Sequence, residues 1–82
     1  MMMKLTPGKL YKLRHQLRIV GGNPGKAPWE DTILEKDQVY LCTSFKDYKK
    51  YRHVSIKFLV GRVEVAMSMN TETTNYWLEK VE

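Results

Sequence analysis

Eighty-two residues with 43% hydrophobic and 28% charged content describe one small globular domain, with room for a modest core but not for a cleft between two lobes. Fourteen Lys and Arg against nine Asp and Glu leave a formal net charge of +5, which suits an anionic partner or serves solubility alone. The apolar runs are too short to span a membrane, and MMMKLTPGK is not read as a secretion signal. The single cysteine, Cys42, allows no internal disulfide and fits a reducing cytoplasm.

Residues 1–8 read as an N-terminal arm, with Thr6-Pro7-Gly8 as a turn, and residues 9–82 as one domain. From Lys9 to Val20 two periods compete. As a strand, Tyr11, Leu13, His15, Leu17 and Ile19 share one face, and Lys12, Arg14, Gln16 and Arg18 the other. As a helix, Leu10, Leu13, Leu17 and Val20 form one stripe behind a Thr6-Pro7 start. Five successive alternations favour the strand. Gly21-Gly22-Asn23-Pro24-Gly25 then breaks regular structure, and the loop runs on through Trp29 to Asp31.

Thr32–Glu35 and Gln38–Phe45 read as strands around Lys36-Asp37, the second with Val39, Leu41 and Thr43 on one face and Tyr40, Cys42 and Ser44 on the other. Lys46–His53 is a basic connection studded with tyrosines. It leads into the strongest signal in the chain, Val54–Met69. There Val54, Ile56, Phe58 and Val60 alternate with Ser55, Lys57 and Leu59. After Gly61-Arg62 the alternation resumes with Val63, Val65, Met67 and Met69. Glycine at the first position of a two-residue connection predicts a type II′ hairpin turn. Asn70–Asn75 is polar and turn-like, and Tyr76–Val81 closes the chain as a short strand.

This order of parts resembles an SH3-like barrel: a first strand, a long excursion, a three-strand meander with a tight central turn, then a short closing strand. Lys9-Leu10-Tyr11-Lys12-Leu13 stands where that family carries its ALYDY opening. Ile33–Val39 resembles its L-x-F-x-x-G-D-x-I segment, and Thr74–Val81 its S-N-Y-V-x-x-V close. The resemblance implies an all-β fold, a five- to six-stranded small barrel with a long first loop. It does not extend to proline-rich ligands. Of the aromatic shelf that binds them only Tyr11, Asn75 and Tyr76 are matched, Leu13 replaces the second ALYDY aromatic, the hairpin tryptophan is missing near His53-Val54, and Thr73 replaces the shelf proline. The segments Leu5–Leu13, Ile33–Leu41, Val54–Gly61 and Tyr76–Val81 are also similar in style to small uncharacterised barrel proteins of tailed bacteriophages. That similarity implies a protein of the host cytoplasm that binds a host component, such as a nucleotide messenger of its defences.

No constellation of residues announces a reaction, so the chain is read as a non-enzyme with no catalytic residue, metal or cofactor. His15, His53 and Cys42 lack the paired-donor spacing of a metal site. Cys42 reads as a small core residue, and His15 as a partly buried packing residue. Gly21–Gly25 is glycine-rich but lacks the Gly-Lys-Ser/Thr ending and following helix of a phosphate cradle.

Two cationic features remain. Lys12, Arg14 and Arg18 recur along one strand face with cations on alternate positions roughly 7 Å apart, near phosphate spacing, or else serve as a solvated face that blocks strand pairing. Lys46, Tyr48, Lys49, Lys50, Tyr51, Arg52 and His53 interleave cations with rings, which suits an anionic, stackable ligand; otherwise they form a charged loop whose tyrosines fold over the core. Trp29, Tyr40 and Tyr76 are further candidate platforms, Trp29 being either a lid or a contact residue. The expected ligand-binding set is Lys49, Lys50, Tyr51 and Arg52, with Arg14, Arg18 and Trp29 as secondary contacts, and the expected ligand a nucleotide or nucleic acid. A barrel this small does not enclose a nucleotide, so a signalling nucleotide implies a homo-oligomer. The alternative is a module that docks on a host protein and modulates it.

Overall fold

The computed structural model describes residues 3–21, 27 and 29–81, and these form an all-β domain of antiparallel strands with one short helix. Its frame is the expected hairpin. β5 (His53–Val60) and β6 (Val63–Asn70) pair along their whole length, from His53↔Asn70 to Val60↔Val63. The period of two carries Val54, Ile56 and Phe58, with Val65, Met67 and Met69, to the buried face. Gly61 has φ +65 while Arg62 keeps a negative φ, the pattern of a type II′ turn.

β4 (Val39–Tyr48) is the longest strand, at ten residues, and pairs with β5 on one side and β1 (Leu10–Leu13) on the other. It is interrupted once. Cys42 lies opposite Phe58 and Ser44 opposite Lys57, so Thr43 is an extra residue, a β-bulge. Strict alternation therefore holds only as far as Cys42. Beyond it Phe45, opposite Ile56, and Asp47, opposite Val54, take the inner face; Lys46 and Tyr48 take the outer one.

β1 sends Tyr11 and Leu13 into the core, and β7 (Leu78–Lys80) pairs with its other edge. The single strand expected over Lys9–Val20 is instead two strands in two sheets. β1 ends at Leu13 because its ladder with β7 runs out at Leu78. There the Arg14 N–H donates to the Trp77 carbonyl at 2.8 Å and its Nε to the Leu78 carbonyl at 3.2 Å. The chain bends through Arg14 and His15, and β2 (Leu17–Ile19) pairs separately with β3 (Thr32–Leu34). His15, expected to be partly buried, sits exposed on this bend. The glycine-rich loop expected at Gly21–Gly25 lies, beyond Gly21, outside the described residues.

The sheet order is β6-β5-β4-β1-β7, with β2-β3 as a second sheet. β6 and β7 are its two edges and are not paired with each other, so the closed barrel expected from the sequence is not formed among the described residues. Between those edges the polar stretch after β6 is a 3-10 helix (Thr71–Thr73) followed by one α-turn, α1 (Thr74–Trp77), so the closing strand begins at Leu78 rather than Tyr76. The Asn70 side chain caps it, accepting from the Glu72 N–H at 2.8 Å. No described helix is long and apolar enough to cross a membrane.

The arm packs against the domain. Leu5 is buried in the core, the Thr6 N–H donates to the Tyr11 hydroxyl at 2.7 Å, and the Gly8 N–H donates to the Cys42 carbonyl at 2.8 Å. Thr74 is fully buried, and its hydroxyl accepts from the Met3 N–H at 3.1 Å while lying 3.3 Å from the Thr71 carbonyl. Thr74→Val keeps the shape and strands the Met3 donor. It is expected to cost about 1–3 kcal/mol, read as a lower urea midpoint with an unchanged slope.

Candidate functional site

The connection between β4 and β5 is tighter than the sequence suggests. Strand pairing reaches Tyr48↔His53, and only a 3-10 turn (Lys49–Tyr51) and Arg52 lie between. Arg52 closes the turn in the left-handed region, at φ 55 and ψ 35, with its N–H on the Lys49 carbonyl at 3.3 Å. Because of the Thr43 bulge, Lys46, Tyr48 and His53 share the outer face of the hairpin.

Their rings form a ladder. Tyr48 and His53 stack with centroids 4.8 Å apart, and Tyr51 lies on His53 at 6.2 Å. Lys46 Nζ stands 5.0 Å from the Tyr48 centroid and Lys50 Nζ 5.8 Å from that of Tyr51. Such cation–π contacts contribute about 0.5–1 kcal/mol each at exposed sites, enough to bias the ammonium groups and too little to lock them. Tyr51 is 66% exposed. The tyrosines of this turn thus stand on the outer face and do not fold over the core.

The inner side of the same turn is different. Asp47, Lys49, Arg52, Thr71 and Glu72 line a cleft of about 240 Å³. Both carboxylate oxygens of Asp47 and the hydroxyl of Thr71 are closed off from solvent without a hydrogen-bond partner. The Arg52 carbonyl accepts from the Thr71 N–H at 3.0 Å, which holds the turn against the 3-10 helix after β6. Lys49 and Arg52 therefore belong both to the exposed basic turn and to this cleft. Sequence reading missed Asp47 as a site residue. Counted in strict alternation from Val39 it points outward, and only the bulge turns it in.

The secondary contacts lie on other elements, and their charges are occupied. Arg14 and Lys12 pair with Glu79 at 3.3 and 3.4 Å. Arg18, on β2, pairs with Asp31 at 3.4 Å, and the Gln16 amide donates to Glu35 at 3.0 Å. The expected cationic stripe is thus divided between two sheets, with Lys12 and Arg14 sharing one carboxylate and Arg18 paired with another. Trp29 stands in the excursion between β2 and β3, 82% exposed. Tyr40 is half-buried against Phe58, ring centroids 6.1 Å apart, and offers no open platform.

A second aromatic group forms where the chain bends: His15 stacks on Tyr76 at 4.2 Å, and Trp77 meets both rings edge-on, at 6.0 and 5.1 Å. Tyr11 does not join it. Its ring lies in the core beside Phe58, which removes one of the three shelf residues matched in sequence. Cys42 is buried, and burial pushes its thiol up, away from the reactive thiolate. Among the described residues no three His, Cys, Asp or Glu side chains are grouped to hold a metal ion. No family model matches the chain, and neither does a curated protein or a solved structure.

An unpartnered carboxylate sealed from water is held at a cost in stability. Asp47→Val, which suits a strand and faces Val54, is expected to raise stability by about 1–3 kcal/mol. A higher midpoint in thermal and urea unfolding checks it.

Proposed function

We propose that the protein is a non-catalytic binding module that presents the turn between β4 and β5 to an anionic, stackable ligand, a nucleotide or single-stranded nucleic acid. The observation that carries this reading is the division of its cations. Lys12 and Arg14 share Glu79 and Arg18 pairs with Asp31, whereas Lys46, Lys49, Lys50 and Arg52, close together in the chain, have no ion-pair partner among the described residues; Lys57, Arg62 and Lys80 are unpaired too but stand singly. Unmatched cations beside an exposed ring ladder neutralise phosphate while the rings stack on bases. Lys49, Lys50 and Arg52 are the phosphate contacts, Tyr51 the stacking platform, and Arg14, Arg18 and Trp29 peripheral.

The fold on which this surface is mounted is, in the same reading, an open relative of the SH3-like barrel. Its support is the order of parts: one strand, an excursion carrying β2 and β3, the meander β4-β5-β6 with its glycine turn, and a short closing strand. The stylistic similarity to phage proteins supports a host signal as the ligand.

One observation favours the second reading, a protein-docking module. Leu10, Leu41 and Leu59 are direct cross-strand partners on the outer face of the sheet, with Val39 beside them, and Leu10, Val39 and Leu59 are exposed. An apolar band of this kind suits a protein surface.

Salt separates the two. Binding of a fluorescent single-stranded oligonucleotide is expected to weaken steeply with salt. Lys49→Ala, Lys50→Ala and Arg52→Ala each lower the slope of log K against log salt by about 1, and Arg14→Ala leaves it unchanged. Tyr51→Ala is expected to cost about 1–3 kcal/mol of binding. No binding at low salt, or affinity that is flat in salt, would hand the function to the apolar band.

A further inference from the structure

The cleft on the inner side of the β4–β5 turn has a feature that phosphate contacts leave unused. Asp47 and Thr71 are among its lining residues, and Asp47 Oδ1 and Oδ2 and the Thr71 hydroxyl are closed off from solvent without a hydrogen-bond partner. An ionised carboxylate only accepts hydrogen bonds, so the group that partners it must bring donors. Also lining the cleft are Lys49 and Arg52, which the proposed function assigns to phosphate, and Glu72, whose like charge repels phosphate. At about 240 Å³ the cleft is smaller than the ~300–1,000 Å³ typical of sites for whole drug-sized ligands. It fits one flat group, with the remainder of the molecule outside.

We infer that the cleft is a guanine-reading site in which the two free oxygens of Asp47 accept from the adjacent N1–H and N2–H of the base while Lys49 and Arg52 hold its phosphates. The inference rests on the nucleotide-binding reading above and names the base within it. The selectivity follows from the base edges. Guanine sets two neighbouring donors along its Watson–Crick edge. Adenine and cytosine set a donor beside a ring-nitrogen acceptor, which would face a carboxylate oxygen with lone pair against lone pair. Uracil has one donor flanked by two carbonyls. Only guanine satisfies both oxygens at once, and hydrogen bonds to an ionised acceptor are about twice as strong as neutral ones. Both oxygens are closed off in this structure, so binding requires side chains around the cleft to move; Lys49, Arg52 and Glu72, which line it, are exposed, and rotamer changes of exposed side chains are fast.

The test is a competition series at low salt, with the nucleoside triphosphates of guanine, hypoxanthine, adenine and xanthine, on the full chain and on Asp47→Asn. The shared triphosphate holds the Lys49 and Arg52 contribution constant. The wild type is expected to bind GTP about tenfold or more tighter than ATP. ITP, which lacks the 2-amino group, falls between them. Asp47→Asn replaces one acceptor by a donor, so it loses the preference for GTP and gains affinity for XTP, whose C2 carbonyl replaces the N2–H. That gain also reports that the variant is folded.

Equal binding of GTP and ATP, or a GTP preference that survives Asp47→Asn, overturns the guanine assignment while leaving the basic turn as an anion surface. Binding of none of the four, together with no salt-dependent oligonucleotide binding, overturns the underlying reading as well. Binding of free arginine in place of every nucleotide shows that Asp47 serves a cation, and overturns the assignment too.

Discussion

One extra residue in β4 decides which side chains this domain shows and which it hides. With Thr43 bulged out, the phase of the strand reverses between Cys42 and Ser44. Phe45 comes to pack against the core; without the bulge it would lie on the outer face. The same reversal places Lys46 and Tyr48 outside, in line with His53, and carries Asp47 inside. A bulge also bends its strand and tightens its twist, which suits a ten-residue strand that must pair with β1 at one end and continue as a hairpin with β5 at the other. The Thr43 hydroxyl donates to the Lys57 carbonyl at 3.3 Å, so the displaced residue is tied to the neighbouring strand rather than left loose.

The electrostatics follow from the same geometry. Strand pairing places Glu79 directly opposite Lys12 and within reach of Arg14, and β2–β3 pairing brings Arg18 near Asp31. Exposed pairs of this kind contribute little to stability, but they offset part of the local positive charge. The β4–β5 turn has no acid on its outer face to play that part. Its one carboxylate, Asp47, is on the inner side of the hairpin and makes no ion pair among the described residues. Lys46, Lys49, Lys50 and Arg52 thus form a local cluster of cations within seven residues, while Lys57, Arg62 and Lys80 stand singly elsewhere on the surface. Charge held this way, beside rings that are already stacked, gives an approaching anion both a long-range pull and a surface to rest on.

Much of the fold was legible because the strongest pattern is also the structural frame. Val54–Met69 reads as a two-faced hairpin with a glycine turn, and Gly61 takes the positive φ that this turn demands. The all-β class and the order of strands were open to the same reasoning. What escaped it were changes of phase. Thr43 and Ser44 are both small and polar and suit either face, so nothing in the composition marks the bulge. The break after Leu13 is set by where β7 begins, at Leu78, a partner more than sixty residues away, while the alternation through Leu17 and Ile19 continues unbroken into another sheet. Tyr11 illustrates a third limit: its match to an aromatic shelf concerned residue type, whereas its direction is fixed by the Thr6 N–H and by Phe58. The basic turn was found from residue type alone because its function, as proposed, needs no particular inward or outward phase at Lys49 and Lys50. The acid beneath it does need one, and was missed.

The two sides of that turn are not independent. Arg52 holds the left-handed conformation that closes the 3-10 turn, and its carbonyl accepts from Thr71, the residue whose hydroxyl lies in the cleft. Left-handed backbone costs a non-glycine residue roughly 1 kcal/mol or more, so Arg52 stays there because hydrogen bonds on both sides of it, donated to the Lys49 carbonyl and accepted from the Thr71 N–H, determine its geometry. A group bound in the cleft would press on Thr71 and Arg52, and through them on the placement of Lys49, Lys50 and Tyr51. On the proposed reading, occupation of the outer surface and of the cleft would be linked through one backbone hydrogen bond and two shared cations, so the turn would act as one binding unit with two faces rather than two adjacent sites.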